Sequence, residues 1–195
     1  MILSEQTLPT YRQQPNAGQV ARLKLLPIDA VLALLPPGDG PGMDGPTTSD
    51  PYTVSRYGLA AAGGAAITEL IFPPGGCTFT ETSEPGQEGA GTAWSLELSA
   101  TIPKNQPMLL HWIYLNQGKR WLALWLDRNG LAYVAGEPGN GLRMGTARAI
   151  NAENSVSLKL TGRCWHPAWF LERYNTSELF ADVDFDLSFD FSFNA

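Results

Sequence analysis

The chain has 195 residues, of which 44% are apolar and 16% charged, with a net charge of −6 at neutral pH. That length and apolar share exclude disorder throughout and allow one domain with a substantial core. Asp182, Asp184, Asp186 and Asp190 supply four of the excess carboxylates, so the acidity is local, and the balance excludes the basic stripe that general nucleic-acid binding requires.

Residues 1–18 are polar, carry Pro9 and Pro15, and read as an extended N-terminal arm. They lack the basic stretch followed by an apolar core that marks a signal peptide. In VARLKLLPIDAVLALLP, Pro27 forbids one continuous central strand or helix. The reading is a strand over 21–26 and a short strand or helical turn over 28–35. Residues 36–51, rich in Pro and Gly, form a loop. In the next stretch Gly63 and Gly64 each weigh against a helix by ~1 kcal/mol, and a strand is expected over 66–72. A Pro-Pro-Gly-Gly turn then leads to a strand over 77–82, which sets Cys77 and Phe79 against threonines, and to a second Gly-rich loop ending at Gly91.

From Trp94 the alternation sharpens. Trp94, Leu96 and Leu98 oppose Ser95, Glu97 and Ser99, as in a half-buried strand that Pro103 ends. The spacing predicts one short helix at about 106–117, capped by Asn105, with Pro107 in its first turn and Gly118 closing it. Leu109, Trp112 and Ile113 share its inner face. RWLALWLDRNGLAYVAG reads as a hairpin turning at Asp127, Asn129 and Gly130, because Asn and Gly tolerate the positive φ of tight turns. Further strands are predicted over 141–147 and 155–164, where Val156, Leu158 and Leu160 oppose Ser155, Ser157 and Lys159. After Pro167 come a short apolar patch and a link over 173–178, then a final strand or arm over 181–195. The sum is a single, mainly β domain. It is expected to be a sandwich or barrel of about eight or nine short strands with one short helix and an extended arm at each end.

Catalytic chemistry finds little support in these residues. His111 and His166 stand beside no nucleophile motif such as GxSxG, and both are expected to be partly buried and satisfied by backbone groups. Cys77 and Cys164, far apart in sequence, form neither a disulfide framework nor a metal half-site and read as buried, reduced thiols. DVDFD begins like a calcium loop, but Leu187 stands where Gly is needed and Phe193 where a bidentate Glu is needed. The glycines around 136–145 match no phosphate-binding pattern and read as hairpin residues. Glu69, Glu81, Glu97 and Asp127 are candidates for paired acids in a cleft. No cofactor and no metal are expected, and no apolar run approaches the ~20 residues that span a bilayer.

Two apolar features invite a partner. Trp121 and Trp125 lie four apart on a predicted strand, hence on one face, where they would serve either as core or, with Trp165, as a ligand platform such as stacks on sugars. Leu122, Leu124 and Leu126 fill the other face of that strand, which favours core. The second feature is the end of the chain. From Asp182 to Asn194 polar and apolar residues alternate without a break, with Asp182, Asp184 and Asp186 on one side and Phe185, Phe189, Phe191 and Phe193 on the other. Each buried Phe contributes ~2–3 kcal/mol, so the aromatic side requires a cover. The subsegment either closes its own sheet or adds to a neighbour's by strand augmentation, and its terminal position and length favour the neighbour.

The stretch from 122 to 172 resembles the C-terminal half of structural proteins of tailed bacteriophages and prophages. The matching residues are the hairpin Asp127, Asn129, Gly130 and Gly136, the run Asn154, Val156, Leu158, Leu160 and Gly162, and the segment Pro167, Ala168 and Phe170. The resemblance implies a non-enzymatic virion component of tail tube, connector or terminator type, made in the bacterial host cytoplasm. It would assemble into homo-oligomeric rings with other virion proteins as partners, without sequence-specific nucleic-acid binding or membrane insertion. The alternative is a carbohydrate- or ligand-binding β-sandwich module.

Overall fold

A computed structural model describes residues 16–37, 52–55, 58–86, 91–150, 154–172 and 179–180. The expected strand over 181–195, most of the arm over 1–18 and most of the loop over 36–51 lie outside the described residues. Strand β1 (Val20–Pro27) ends at Pro27 in a single 3-10 turn (Ile28–Ala30), which leads into β2 (Val31–Leu34). Three short strands follow, β3 (Thr53–Val54), β4 (Leu59–Ala61) and β5 (Thr68–Ile71), and then two long ones, β6 (Cys77–Pro85) and β7 (Thr92–Pro103). Helix α1 (Pro107–Leu115) precedes β8 (Arg120–Asp127), β9 (Ala132–Ala135), β10 (Leu142–Ala149), β11 (Ser155–Cys164) and β12 (Trp169–Leu171). The chain is mainly β and sandwich-like, as expected. The described residues hold more than the eight or nine strands expected because pieces such as β3, β4 and β12, two or three residues long, are too short to show an alternation.

Strand β8 organises the whole. Along one edge it pairs antiparallel with β1 from Val20↔Asp127 to Pro27↔Trp121. Its other edge is divided: β9 takes Ala123 to Leu126, and β10 takes Trp121 and Arg120. Beyond that point β10 leaves β8 and pairs with β11, which pairs with β7, which in turn pairs with β6. One continuous sheet therefore turns back over itself. The β1–β8 layer packs its Leu23, Leu25, Trp121, Ala123 and Trp125 against Cys77, Leu96, Leu98, Leu158 and Leu160 of the β6–β7–β11 layer. On the far side of β8, Leu122 and Leu124 meet Leu26, Val31, Val54, Val134, Trp169, Leu171 and Phe180. Both faces of β8 are buried, which is why RWLALWLD lacks a polar side.

Trp121 and Trp125, each 1% exposed, are thus core and not a ligand platform. The reason is the fold-over of the sheet, which puts a second layer on the face they share. Trp125 lies between Phe79 at 4.5 Å and Tyr133 at 5.5 Å between ring centroids, the latter ring stacked at 10°.

The helix spans Pro107–Leu115, shorter than the predicted 106–117, and its N-cap is Gln106 with no side-chain bond. Asn105 instead donates from Nδ2 to the Ala149 carbonyl at 3.4 Å, tying the helix entry to β10. Trp112 donates from Nε1 to Thr68 Oγ1 at 3.0 Å, and Ile113 is buried. His111 is exposed rather than partly buried, because it falls on the opposite side of the helix from Ile113 and Leu109. Met108, Tyr114 and Leu115 share that outward side and are 80%, 70% and 58% exposed.

The hairpin at Asp127 forms as the DRNG sequence predicts. Asp127 Oδ1 accepts from the backbone N–H of Asn129 at 2.9 Å and of Leu131 at 2.8 Å, and Gly130 takes φ +82°. Asn129 also reaches the N-terminal segment: its Nδ2 donates to Asn16 Oδ1 and its Oδ1 accepts from the Ala17 N–H, each at 2.9 Å. Burial and the Asp127 carboxylate, which accepts from the Tyr133 hydroxyl, push that phenol up to about 12.

Candidate functional site

Between β9 and β10 the chain makes a small excursion. Glu137 and Asn140 bridge one another across Pro138 and Gly139, and Gly136 and Gly141 sit against the backbone of Trp121 on either side. This excursion meets the link between β11 and β12. Asn140 donates from Nδ2 to the Arg163 carbonyl, and Glu137 holds Nε2 of His166. The other ring nitrogen of His166 faces the Pro167 carbonyl at 2.7 Å, and the ring stacks on Trp169 at 3.8 Å. From β6, the Glu81 carboxylate accepts the Ala168 N–H at 2.7 Å. Three side chains from two other segments thus fix the residues from Arg163 to Ala168.

Two oxygens, the Pro167 carbonyl and the Glu137 carboxylate, thus engage the two nitrogens of the His166 imidazole. Two residues before this ring lies the Cys164 thiol. That thiol is 3% exposed and is pushed up to about 11 by burial and by Glu137. Cys77 is pushed up to about 12 by burial. Both are free, buried thiols, protonated at neutral pH and poor nucleophiles.

The candidate acids do not meet in one cleft. Glu69 is held by Arg22 at 2.6 Å and Lys24 at 3.7 Å. Glu97 pairs with Lys159 at 2.8 Å on the outer face of the β6–β7–β11 layer. Asp127 is used in its turn, and Glu81 alone faces the link. Burial raises the Glu81 carboxyl above its ordinary 4.5, outweighing the Ala168 N–H and His166, which lower it. A carboxyl raised in the folded state loses its proton first in the unfolded chain, so folding stability falls as the pH rises from the ordinary carboxyl range through the folded value. Glu81→Gln keeps an acceptor for the Ala168 N–H and removes that loss. Thermal melts should show the variant above the parent at neutral pH, with the gap closing at acid pH.

Trp165 follows Cys164 on the same link and stands 75% exposed. It flanks an open groove of about 420 Å³, whose walls also include Glu84, Pro85, Gly86, Gly91, Ala93, Asn140 and Arg163. Arg163 and Glu84, both in its lining, form an ion pair at 2.6 Å. Of the three tryptophans proposed for a platform, then, only Trp165 is placed to meet a ligand. The alternation in β11 foreshadows its outward direction: Val156, Leu158, Leu160 and Cys164 point inward, so position 165 points out. Glu84, Asn140 and Arg163 carry no such signal, since three separate segments bring them together. Among the described residues no cluster of His, Cys, Asp and Glu could hold a metal ion, and no helix is long and apolar enough to cross a membrane. Compared with models of known families, with curated proteins and with solved structures, the chain matches none.

Proposed function

We propose that the chain is a non-enzymatic structural subunit of a bacteriophage tail or a related assembly, of tube, connector or terminator type, which forms rings with copies of itself. It would be made in the host cytoplasm and carried in the virion, with other virion proteins as further partners. The observation that supports assembly best is the place from which the alternating C-terminal segment departs. Phe180 is 3% exposed. Arg22 and Lys24 of β1 lie over its ring at 5.5 and 5.4 Å, and Arg22 Nη1 donates to its carbonyl at 3.2 Å. Next to β1 lies β5, which among the described residues pairs with β1 alone and exposes Ile71 at 66%. A strand edge that no described strand covers, beside the root of a segment with strand alternation, suits exchange between neighbours. The outward face of α1 adds apolar surface that a second copy would cover.

The test is size-exclusion chromatography with light scattering on the whole chain and on a chain lacking Ala181–Ala195. The whole chain should run as a multimer, with rings of uniform diameter in electron micrographs. The shortened chain should run as a monomer with unchanged far-UV circular dichroism. A monomeric whole chain overturns the reading. An unfolded shortened chain does so too, because the segment would then belong to its own subunit's core.

A further inference from the structure

We propose that the groove beside Trp165 is a binding subsite for a pyranose sugar, independent of whether the chain assembles through its C-terminal segment. The first argument is exposure. Trp121, Trp125 and Trp169 are buried and Trp94 and Trp112 are packed against the core, while Trp165 stands 75% in solvent. An indole left in water at the rim of a concavity is the usual form of a stacking surface for a ligand with one apolar face.

The second argument is rigidity. Exposed aromatic side chains on loose loops lose much of their binding free energy to ordering. Trp165 is instead carried on a short link held at Arg163 by Asn140, at His166 by Glu137 and at Ala168 by Glu81. The excursion over 136–141 and Glu81 of β6 thus brace the segment that carries this side chain.

The third argument is chemistry. The groove that Trp165 lines is also lined by the Arg163–Glu84 pair and by small residues, Gly86, Gly91 and Ala93, which leave room for a ring. Among the described residues, its lining has one cationic and one anionic side chain. Those residues carry neither the excess positive charge that a phosphate backbone requires nor the wholly apolar lining that a lipid requires. A pyranose presents a flat C–H face to an aromatic ring and adjacent hydroxyls that both donate and accept. An Arg–Glu pair, with donors on one partner and acceptors on the other, matches those hydroxyls.

The probes are cellobiose, maltose and N,N′-diacetylchitobiose in solution, and insoluble cellulose and chitin as the polymeric counterparts. In the unliganded chain iodide should quench the emission of Trp165, a component missing from Trp165→Phe. At least one disaccharide should shift that emission to shorter wavelength in a saturable titration and protect it from iodide. Trp165→Ala should weaken binding by at least roughly tenfold, the loss of one aromatic contact, with an unchanged melting temperature. Arg163→Met should weaken it in the same way with the indole intact. Retention on cellulose or chitin that the matching disaccharide competes away assigns the subsite to a polymer; binding of the disaccharide alone assigns it to free sugar. A Trp165 that iodide cannot reach, the absence of a saturable change with any probe into the tens of millimolar, or binding undiminished in Trp165→Ala overturns the proposal.

Discussion

Gly136→Ala should destabilise the chain by about 3–5 kcal/mol, a large part of the ~5–15 kcal/mol that holds a domain folded. Two effects combine. Gly136 adopts φ +97°, which a residue with a Cβ enters only under strain, and a Cβ there would lie 2.6 Å from the Trp121 carbonyl oxygen and 3.2 Å from the Leu122 Cα. Strain of this kind costs ~1–3 kcal/mol and overpacking a similar amount. The contacted atoms are backbone of β8, paired on both edges, so they cannot yield as a side-chain tip would. Gly130→Ala is the control. It shares a positive φ of +82° but has no atom within 4 Å of its added Cβ, and it should cost only the strain. Urea unfolding should place the Gly136 variant about 1–2 M below the parent and the Gly130 variant between the two. Equal effects at the two positions would mean that the excursion is not clamped against β8, and with it one brace of the Trp165 link would be gone.

Local features of this fold are legible in the residues, and the long-range ones are not. The alternations in β7 and β11 name their inner faces correctly, because one face of each is solvated and the period of two survives. DRNG forms the expected turn because its hydrogen bonds are made within five residues. Pro27 ends β1 for a reason internal to proline, the missing N–H. By contrast, nothing in ALWLD says that one edge of β8 is shared by β9 and β10, since the division depends on where two glycines let the chain leave and return. Asn105 looks like a helix cap but binds a carbonyl of β10, a partner 44 positions away. The same holds for the candidate site. His166 and Glu137 are separated by 29 positions and Ala168 and Glu81 by 87, and pairing of this range follows from strand order, which composition does not encode. The tryptophans illustrate the ambiguity best: Trp121 and Trp125 share a face on any reading, and only the second layer decides whether that face meets water or Leu98 and Leu160.

Trp125→Ala and Trp165→Ala should therefore separate by several kcal/mol although the substitution is the same. Trp125 is 1% exposed and lies in a row of rings. Phe79 on β6 touches it, Tyr133 on β9 stacks on its other side, and Phe170 on β12 continues from Tyr133 at 4.8 Å. Removing the indole opens a cavity that these neighbours cannot close, because three are fixed to strands already paired. A cost of about 3–5 kcal/mol follows. The aromatic pairing lost with Phe79 and Tyr133 makes up part of that cost, at ~0.5–1.5 kcal/mol for each pair. Trp165 makes no such contacts and its removal should change stability by less than about 0.5 kcal/mol. Guanidinium titrations followed by circular dichroism, which do not depend on the tryptophan removed, measure both. A small loss at Trp125 would mean that the two layers are not packed through this row, and the sandwich would then have to be held by the β8 edges alone.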